Sequence, residues 1–169
     1  MRQKKLLSLV LALTAVLFFG AVTFAGTLTD IVKRGELRVA VQSGAAPYAF
    51  VDKHGEHAGS MIDFTKGMAE AMGVKLVVLD FDWDGLIPAL LSGKADILAA
   101  DMTPTLKRAL KITFTDPWIE VQPCIFTRTD TDFQTLEDVN KEGVTVGVLL
   151  GSTGETIAKQ YLPNAEIKS

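Results

Sequence analysis

The chain has 169 residues, a formal net charge of −3 and a pI near 5.4. With no basic stripe anywhere, that balance excludes nucleic acid as a partner. The single cysteine, Cys124, excludes an internal disulfide. Its place in the apolar run Cys124-Ile125-Phe126 predicts a buried, inert thiol.

Residues 1–25 have the build of a secretory signal peptide: Arg2, Lys4 and Lys5 form a basic head, and Leu6 to Phe19 is an apolar run. Thr23-Phe24-Ala25 then offers a cleavage site after Ala25. The apolar character continues to Phe24 and approaches the roughly 20 residues that span a bilayer, so an uncleaved anchor is the alternative. From Thr27 a short helix is expected over Leu28 to Lys33, capped by Thr27 with Asp30 and stopped by Gly35. Leu37 to Val41 alternates as a strand. Gln42 to Pro47 reads as a loop into a strand Tyr48 to Val51, and Asp52 to Glu56 as a hairpin turn. His54 and His57 fall in or beside that solvated turn without further convergent ligands, which argues against a metal centre. Met61 to Met72 is an amphipathic helix with Ile62, Met68, Ala69 and Met72 on its apolar side. Gly73 closes it, and Lys75 to Leu79 is the next strand. The alternation of strand and helix predicts a largely parallel sheet covered on both faces.

The stretch 83–108, WDGLIPALLSGKADILAADMTPTLKR, carries the densest signal. Leu86, Ile87, Leu90 and Leu91 recur at helical spacing, with Asp82 or Asp84 as a candidate cap, and Ala95 to Ala100 reads as a short buried strand. Asp101, Thr103, Thr105 and Arg108 follow. Small polar groups and a guanidinium therefore sit where a strand's carboxyl end meets a helix start, which is where open α/β sheets bind ligands. First-turn amides, hydroxyls and a fork-shaped cation suit a planar carboxylate. Beyond this stretch come an expected strand Ile112 to Phe114, a turn Thr115 to Trp118 and an extended apolar run Ile119 to Arg128. A helix Leu136 to Val139, a strand Val144 to Val148 and a helix from Gly151 to about Tyr161 complete the reading.

WDGLIPAL, the ADILAA strand, DMTPTLKR, FTDPW (Phe114 to Trp118) and GVLLGSTGE (147–155), in that order, resemble the solute-binding proteins for polar amino acids that serve ABC importers. The resemblance implies an α/β, periplasmic-binding-protein-like fold with one nearly complete lobe plus the start of a second. Residues 1–25 would be the leader, 26–128 the first lobe and 129–169 an incomplete second lobe, with a hinge near Phe126 to Asp130. The second lobe would be poorly packed in isolation, because one strand and one helix cannot cover both faces of a sheet. A C-terminal truncation is expected on that ground, with a short form that dimerises as the alternative.

Residue by residue, the resemblance implies that Arg108 and Thr103 grip a ligand carboxylate and that Trp83 forms the floor of the pocket. Asp101 would lie where a carbonyl accepts the ammonium, and Tyr48 would occupy a pattern position beside the pocket. Ser152 and Thr153 would close from the second lobe. Each has a plainer reading: a surface arginine beside Lys107, a threonine cap, a core tryptophan, a solvent-facing aspartate, a tyrosine packed under its loop, and a capping box of Ser152 with Glu155. Ala45 stands where many members place a second aromatic, Gln42 where some place an acid, and Ser60-Met61 replaces the usual aromatic-acid pair. The expected protein is an exported binder that captures a polar amino acid and delivers it to an ABC permease in the inner membrane. It would need no metal, cofactor or nucleophile–base pair. The rivals are a cyclohexadienyl dehydratase-like enzyme on the same scaffold and the sensor module of a membrane receptor or kinase.

Overall fold

Leu37, Val39 and Val41 point to one side of a strand and are at most 1% exposed; Ala40, on the other side, is also fully buried. A strand buried on both faces must lie inside its sheet, and in the computed structural model, which describes residues 27–169, it does. This is β1 (Glu36–Val41), the centre of a three-stranded sheet flanked by β5 (Lys75–Asp80) and β6 (Ile97–Leu98), both parallel to it. The register runs from Glu36 opposite Lys75 to Val41 opposite Asp80 on one side, and pairs Val39 with Ile97 and Ala40 with Leu98 on the other. Burying each large β1 side chain contributes roughly 1.5–3 kcal/mol. The leader lies outside the described residues. Among those described, no helix is long and apolar enough to cross a membrane.

Helix α1 (Thr27–Arg34) enters the sheet through Gly35, whose left-handed φ of 72° ends it as expected. Between β1 and β5 run a small antiparallel sheet and a helix. The sheet comprises β2 (Gly44–Ala45), β3 (Ala49–Val51) and β4 (His57–Ala58), joined through the anticipated turn at Asp52, whose Oδ1 accepts from the amides of His54 and Glu56. Helix α2 (Ser60–Met72) buries Met61, Ile62, Thr65 and Ala69 against β1, and Thr65 satisfies its hydroxyl by donating to the Met61 carbonyl at 2.8 Å. Gly73, left-handed at φ 67°, donates to the Glu70 carbonyl and closes the helix.

The start of α2 is fixed differently. The carbonyls of Pro47 and Tyr48 accept from the amides of Ser60 and Met61 at 3.2 and 2.9 Å. Gly59, with φ 118°, lies so close that a Cβ there would sit 2.4 Å from the Tyr48 oxygen. Gly59→Ala is therefore expected to cost about 2 kcal/mol, the scale of backbone strain in a glycine-only region. Chemical denaturation would register it as a lower midpoint with an unchanged slope.

After β5 the chain makes a 3₁₀ turn (Trp83–Gly85) that continues into α3 (Leu86–Leu91). Neither Asp82 nor Asp84 caps it: no side chain accepts at the position of Asp82, and the turn closes through backbone bonds. Leu86, Ala89, Ala95 and Met102 are buried beneath this segment, and Leu86, Ala95 and Met102 form a core cluster with Ala40. Strand β6 keeps only two residues of the expected six, because past Leu98 the chain turns up into α4 (Leu106–Ala109).

Three expectations fail beyond α4. Ile112 to Phe114 is half-buried in part but pairs with no strand. The segment 115–130 is exposed throughout, including Cys124, because no strand partners it among the described residues; the thiol is free and accessible instead of buried. The remainder is better formed than one strand and one helix. Strand β7 (Thr145–Gly147) gains a parallel neighbour, β8 (Glu166–Lys168), which the sequence reading missed. With α5 (Leu136–Val139) and α6 (Thr153–Tyr161) they enclose a small core of Val139, Ala158 and Leu162. Thr135 and Asp138 form a reciprocal capping box on α5.

Candidate ligand-binding site

The three parallel strands end on the same side, and the two segments that leave the flanking strands meet above β1. From β5 comes Trp83; from β6 comes the turn Ala99 to Thr105, leading to Arg108. Thr105 caps α4, its hydroxyl accepting from the Arg108 amide at 3.3 Å. Met102 anchors the turn from below at 8% exposure.

Arg108 is itself only 8% exposed. Its Nη1 donates to the Thr103 carbonyl at 2.8 Å and its Nη2 to the Gly151 carbonyl at 3.0 Å, while Cζ lies 5.4 Å from the centre of the Trp83 ring. Burial pushes its pKa down, yet a guanidinium stays cationic in proteins. Among the described residues no carboxylate pairs with it. A desolvated cation held only by carbonyls is costly unless an anion joins it. Two of its five N–H donors are used, which leaves donors free for a carboxylate.

The structure thus brings Arg108, Trp83 and Thr103 together and keeps the arginine out of bulk water, although Thr103 engages it through its carbonyl and not its hydroxyl. Asp101 and Thr103, both exposed, line an open groove of about 720 Å³ that also touches Tyr48 and the extended segment Ile112 to Gln122. Trp83 and Arg108 do not line it, so the polar residues fall into two groups that share Thr103. Tyr48 is half-buried against the first core and its carbonyl serves α2. Ser152 caps α6, its hydroxyl accepting from the Glu155 amide at 3.0 Å, and Thr153 is the first residue of that helix. The expected capping box is only half made. Glu155 reaches back to the Gly151 amide at 2.6 Å instead, and its pKa is lowered first by Lys159 and then by that amide.

The protein-family description "Bacterial extracellular solute-binding proteins, family 3" matches residues 37–161. The chain belongs to this family. Among curated relatives, the cyclohexadienyl dehydratase of Pseudomonas aeruginosa is 31% identical over 142 residues, covering 83% of this chain and 53% of the enzyme. The ancestral amino acid-binding protein AncCDT-1, a precursor of cyclohexadienyl dehydratase, superposes with a TM-score of 0.82. It is 41% identical, and the match covers 85% of this chain and 64% of that one. A mutant, substituted at one phenylalanine, of the arginine-bound form of domain 1 of the T. maritima arginine-binding protein matches with a TM-score of 0.53 at 38% identity, over 54% of this chain and 71% of that one. The fold is therefore periplasmic-binding-protein-like, and the chain spans about half the length of the curated relative it matches.

Gly151 is the Arg108 contact that sequence reasoning missed. Its signal was present in the block GVLLGSTGE: a glycine immediately before a cap residue, here left-handed at φ 72°. What the sequence could not show is that its carbonyl reaches an arginine 43 residues away.

Proposed function

We propose that this chain is the ligand-capturing part of an extracytoplasmic solute-binding protein that takes up a polar amino acid and hands it to an ABC permease in the inner membrane. The observation that carries the reading is the buried Arg108 guanidinium with carbonyl contacts and no carboxylate partner among the described residues. An α-carboxylate would take up its spare donors, with the Thr103 segment beside it and Trp83 as the floor. Asp101 and Tyr48 would meet the ammonium end and the side chain along the groove. Ser152 and Thr153, next to Gly151, would approach from residues 129–169, the second lobe in this reading, against 26–128 as the first. Residues 1–25 would direct export.

The test is a thermal-shift and titration panel of the twenty amino acids on the purified chain. That a single domain of a relative has an arginine-bound form supports using the chain as it stands. One or a few polar amino acids should raise the melting temperature, by an amount equivalent to about 2.7 kcal/mol at a hundredfold excess over Kd. The corresponding amines, lacking the carboxylate, should not. Equal responses to amines and acids, or no response to any amino acid, would count against the proposal.

Similarity to the dehydratase favours a second reading, in which the same site acts on a cyclohexadienyl acid. That chemistry needs an acid or base positioned in the cleft, and Asp101 is among the groove carboxylates that would have to supply it. His54 lies exposed in its turn, and the His57 Nδ1 is engaged with the Ser43 hydroxyl at 3.0 Å. Incubation with arogenate or prephenate decides the matter: aromatic product establishes the enzyme, and none is expected.

A further inference from the structure

Trp83 and Arg108 reach each other from opposite sides of the central strand. Trp83 follows β5 and Arg108 follows β6, and β1 lies between those two strands. The tryptophan sits on a short turn whose closing bonds are backbone bonds, and it packs on the cluster of Ala40, Leu86, Ala95 and Met102. The ring is therefore fixed from below by buried side chains, and the guanidinium lies over it at 5.4 Å. The carbonyls of Thr103 and Gly151 hold the edge of the guanidinium at 2.8 and 3.0 Å. Those two bonds leave the plane free to tilt about the line joining them, and the ring face opposes that tilt.

We propose that Trp83 is a positioning residue for Arg108: its ring face orients the guanidinium for a ligand carboxylate, and this, more than stacking on the ligand's side chain, is its contribution to binding. The inference rests on the ligand-capture reading above. A ring face already covered by a cation is closed to a second cation, so a basic ligand side chain gains nothing from that face. The contribution should therefore be the same for every amino acid that binds, whatever its side chain.

The first measurement needs no ligand. In the nuclear magnetic resonance spectrum of the free chain, the Arg108 side-chain N–H protons should lie upfield of those of exposed arginines through the ring current. Trp83→Leu should return them to the exposed position, and Trp83→Phe should keep part of the shift. Titration of the amino acids that bind wild type should then show Trp83→Leu weakening each of them by one common factor, roughly 3- to 30-fold, the range of a partly desolvated cation–π contact. Trp83→Phe should recover most of that loss. Two results overturn the proposal: Arg108 protons at the exposed position in wild type, or a loss that grows with the length of the ligand side chain and vanishes for the shortest. If no amino acid binds wild type, the ligand-capture reading falls, and the resonance position alone decides whether the ring orients the guanidinium. If Trp83→Leu does not fold, the wild-type and Trp83→Phe spectra carry the same decision.

Discussion

Arg108→Ala should weaken binding of every α-amino acid about a hundredfold, whichever ligand the wild-type chain prefers. A hydrogen bond to a charged group contributes roughly 1.5–3 kcal/mol net, so losing a forked pair partly compensated by water removes about 2.7 kcal/mol. Because the guanidinium also satisfies the Thr103 and Gly151 carbonyls, the substitution leaves both of them unpaired. A stability control is therefore part of the experiment. Circular dichroism should show an unchanged spectrum with a lower midpoint, while titration shows the binding loss at a temperature well below that midpoint. Arg108→Lys separates charge from geometry. The ammonium keeps the charge but has no planar fork, so it should recover only a minor part of the affinity. Wild-type affinity in Arg108→Ala would remove Arg108 from the site, and wild-type affinity in Arg108→Lys would show that charge suffices without the planar fork.

Asp96→Ala should destabilise the chain by about 3 kcal/mol, because it removes the shared partner of two arginines. Asp96 precedes β6 and its side chain is 3% exposed. It accepts from Arg34 Nη2 at 2.5 Å and from three groups of Arg38: the amide at 2.8 Å, Nε at 3.2 Å and Nη2 at 2.8 Å. One carboxylate thereby ties the end of α1 and the start of β1 to the entry of β6. Removing one partner of a buried pair costs roughly 3–5 kcal/mol. The lower end applies here because Arg34 and Arg38 retain 31% and 28% exposure and can turn to water. Burial pushes the Asp96 carboxyl up, but the side-chain and backbone bonds from Arg38 outweigh it, and the pKa lies below its ordinary 3.8. The side-chain bond to Asp96, against the opposing effect of burial, raises the pKa of Arg38. A carboxyl depressed on folding binds its proton more readily in the unfolded chain. Its contribution is therefore complete above about pH 4 and is lost as the pH falls through the folded value. Urea midpoints measured between pH 6 and pH 2 should fall for wild type and converge with those of Asp96→Ala at the acid end. A constant gap between the two curves would show that the carboxylate charge contributes nothing.

The parts of the fold that sequence could show are those whose signal is local. The periodicity of Ile62, Met68 and Ala69, and Gly73 at φ 67°, define α2 within a few positions. The alternation of Leu37, Val39 and Val41 defines β1. Failures occur where an element depends on a partner far along the chain. Ala95 to Ala100 looks like a full strand, yet only Ile97 and Leu98 form one, flanked by the Asp96 and Ala99 amides donating to the Arg38 and Ala40 carbonyls of β1 before the chain turns toward Thr103. Cys124 looks buried because its neighbours are apolar. Apolar neighbours do not bury a residue without something to pack against, and Ile125 and Phe126 are exposed beside it at 43% and 92%. The site divides in the same way. That Arg108 and Thr103 come together was legible because they belong to one turn. The roles of Asp96 and Gly151 were not, being set by contacts across 58 to 62 and 43 residues respectively.

Ala40 has a methyl group where its neighbours in β1 carry larger side chains, and it has no exposure at all. It stands opposite Leu79 on one flank and Leu98 on the other, in the same cluster that underlies Trp83. Ala40 and Ala95 are the small buried side chains of that cluster, so the layer beneath Trp83 has room for methyl groups and little more. Added bulk at Ala40 would press on the layer that carries Trp83 and so displace the ring from below.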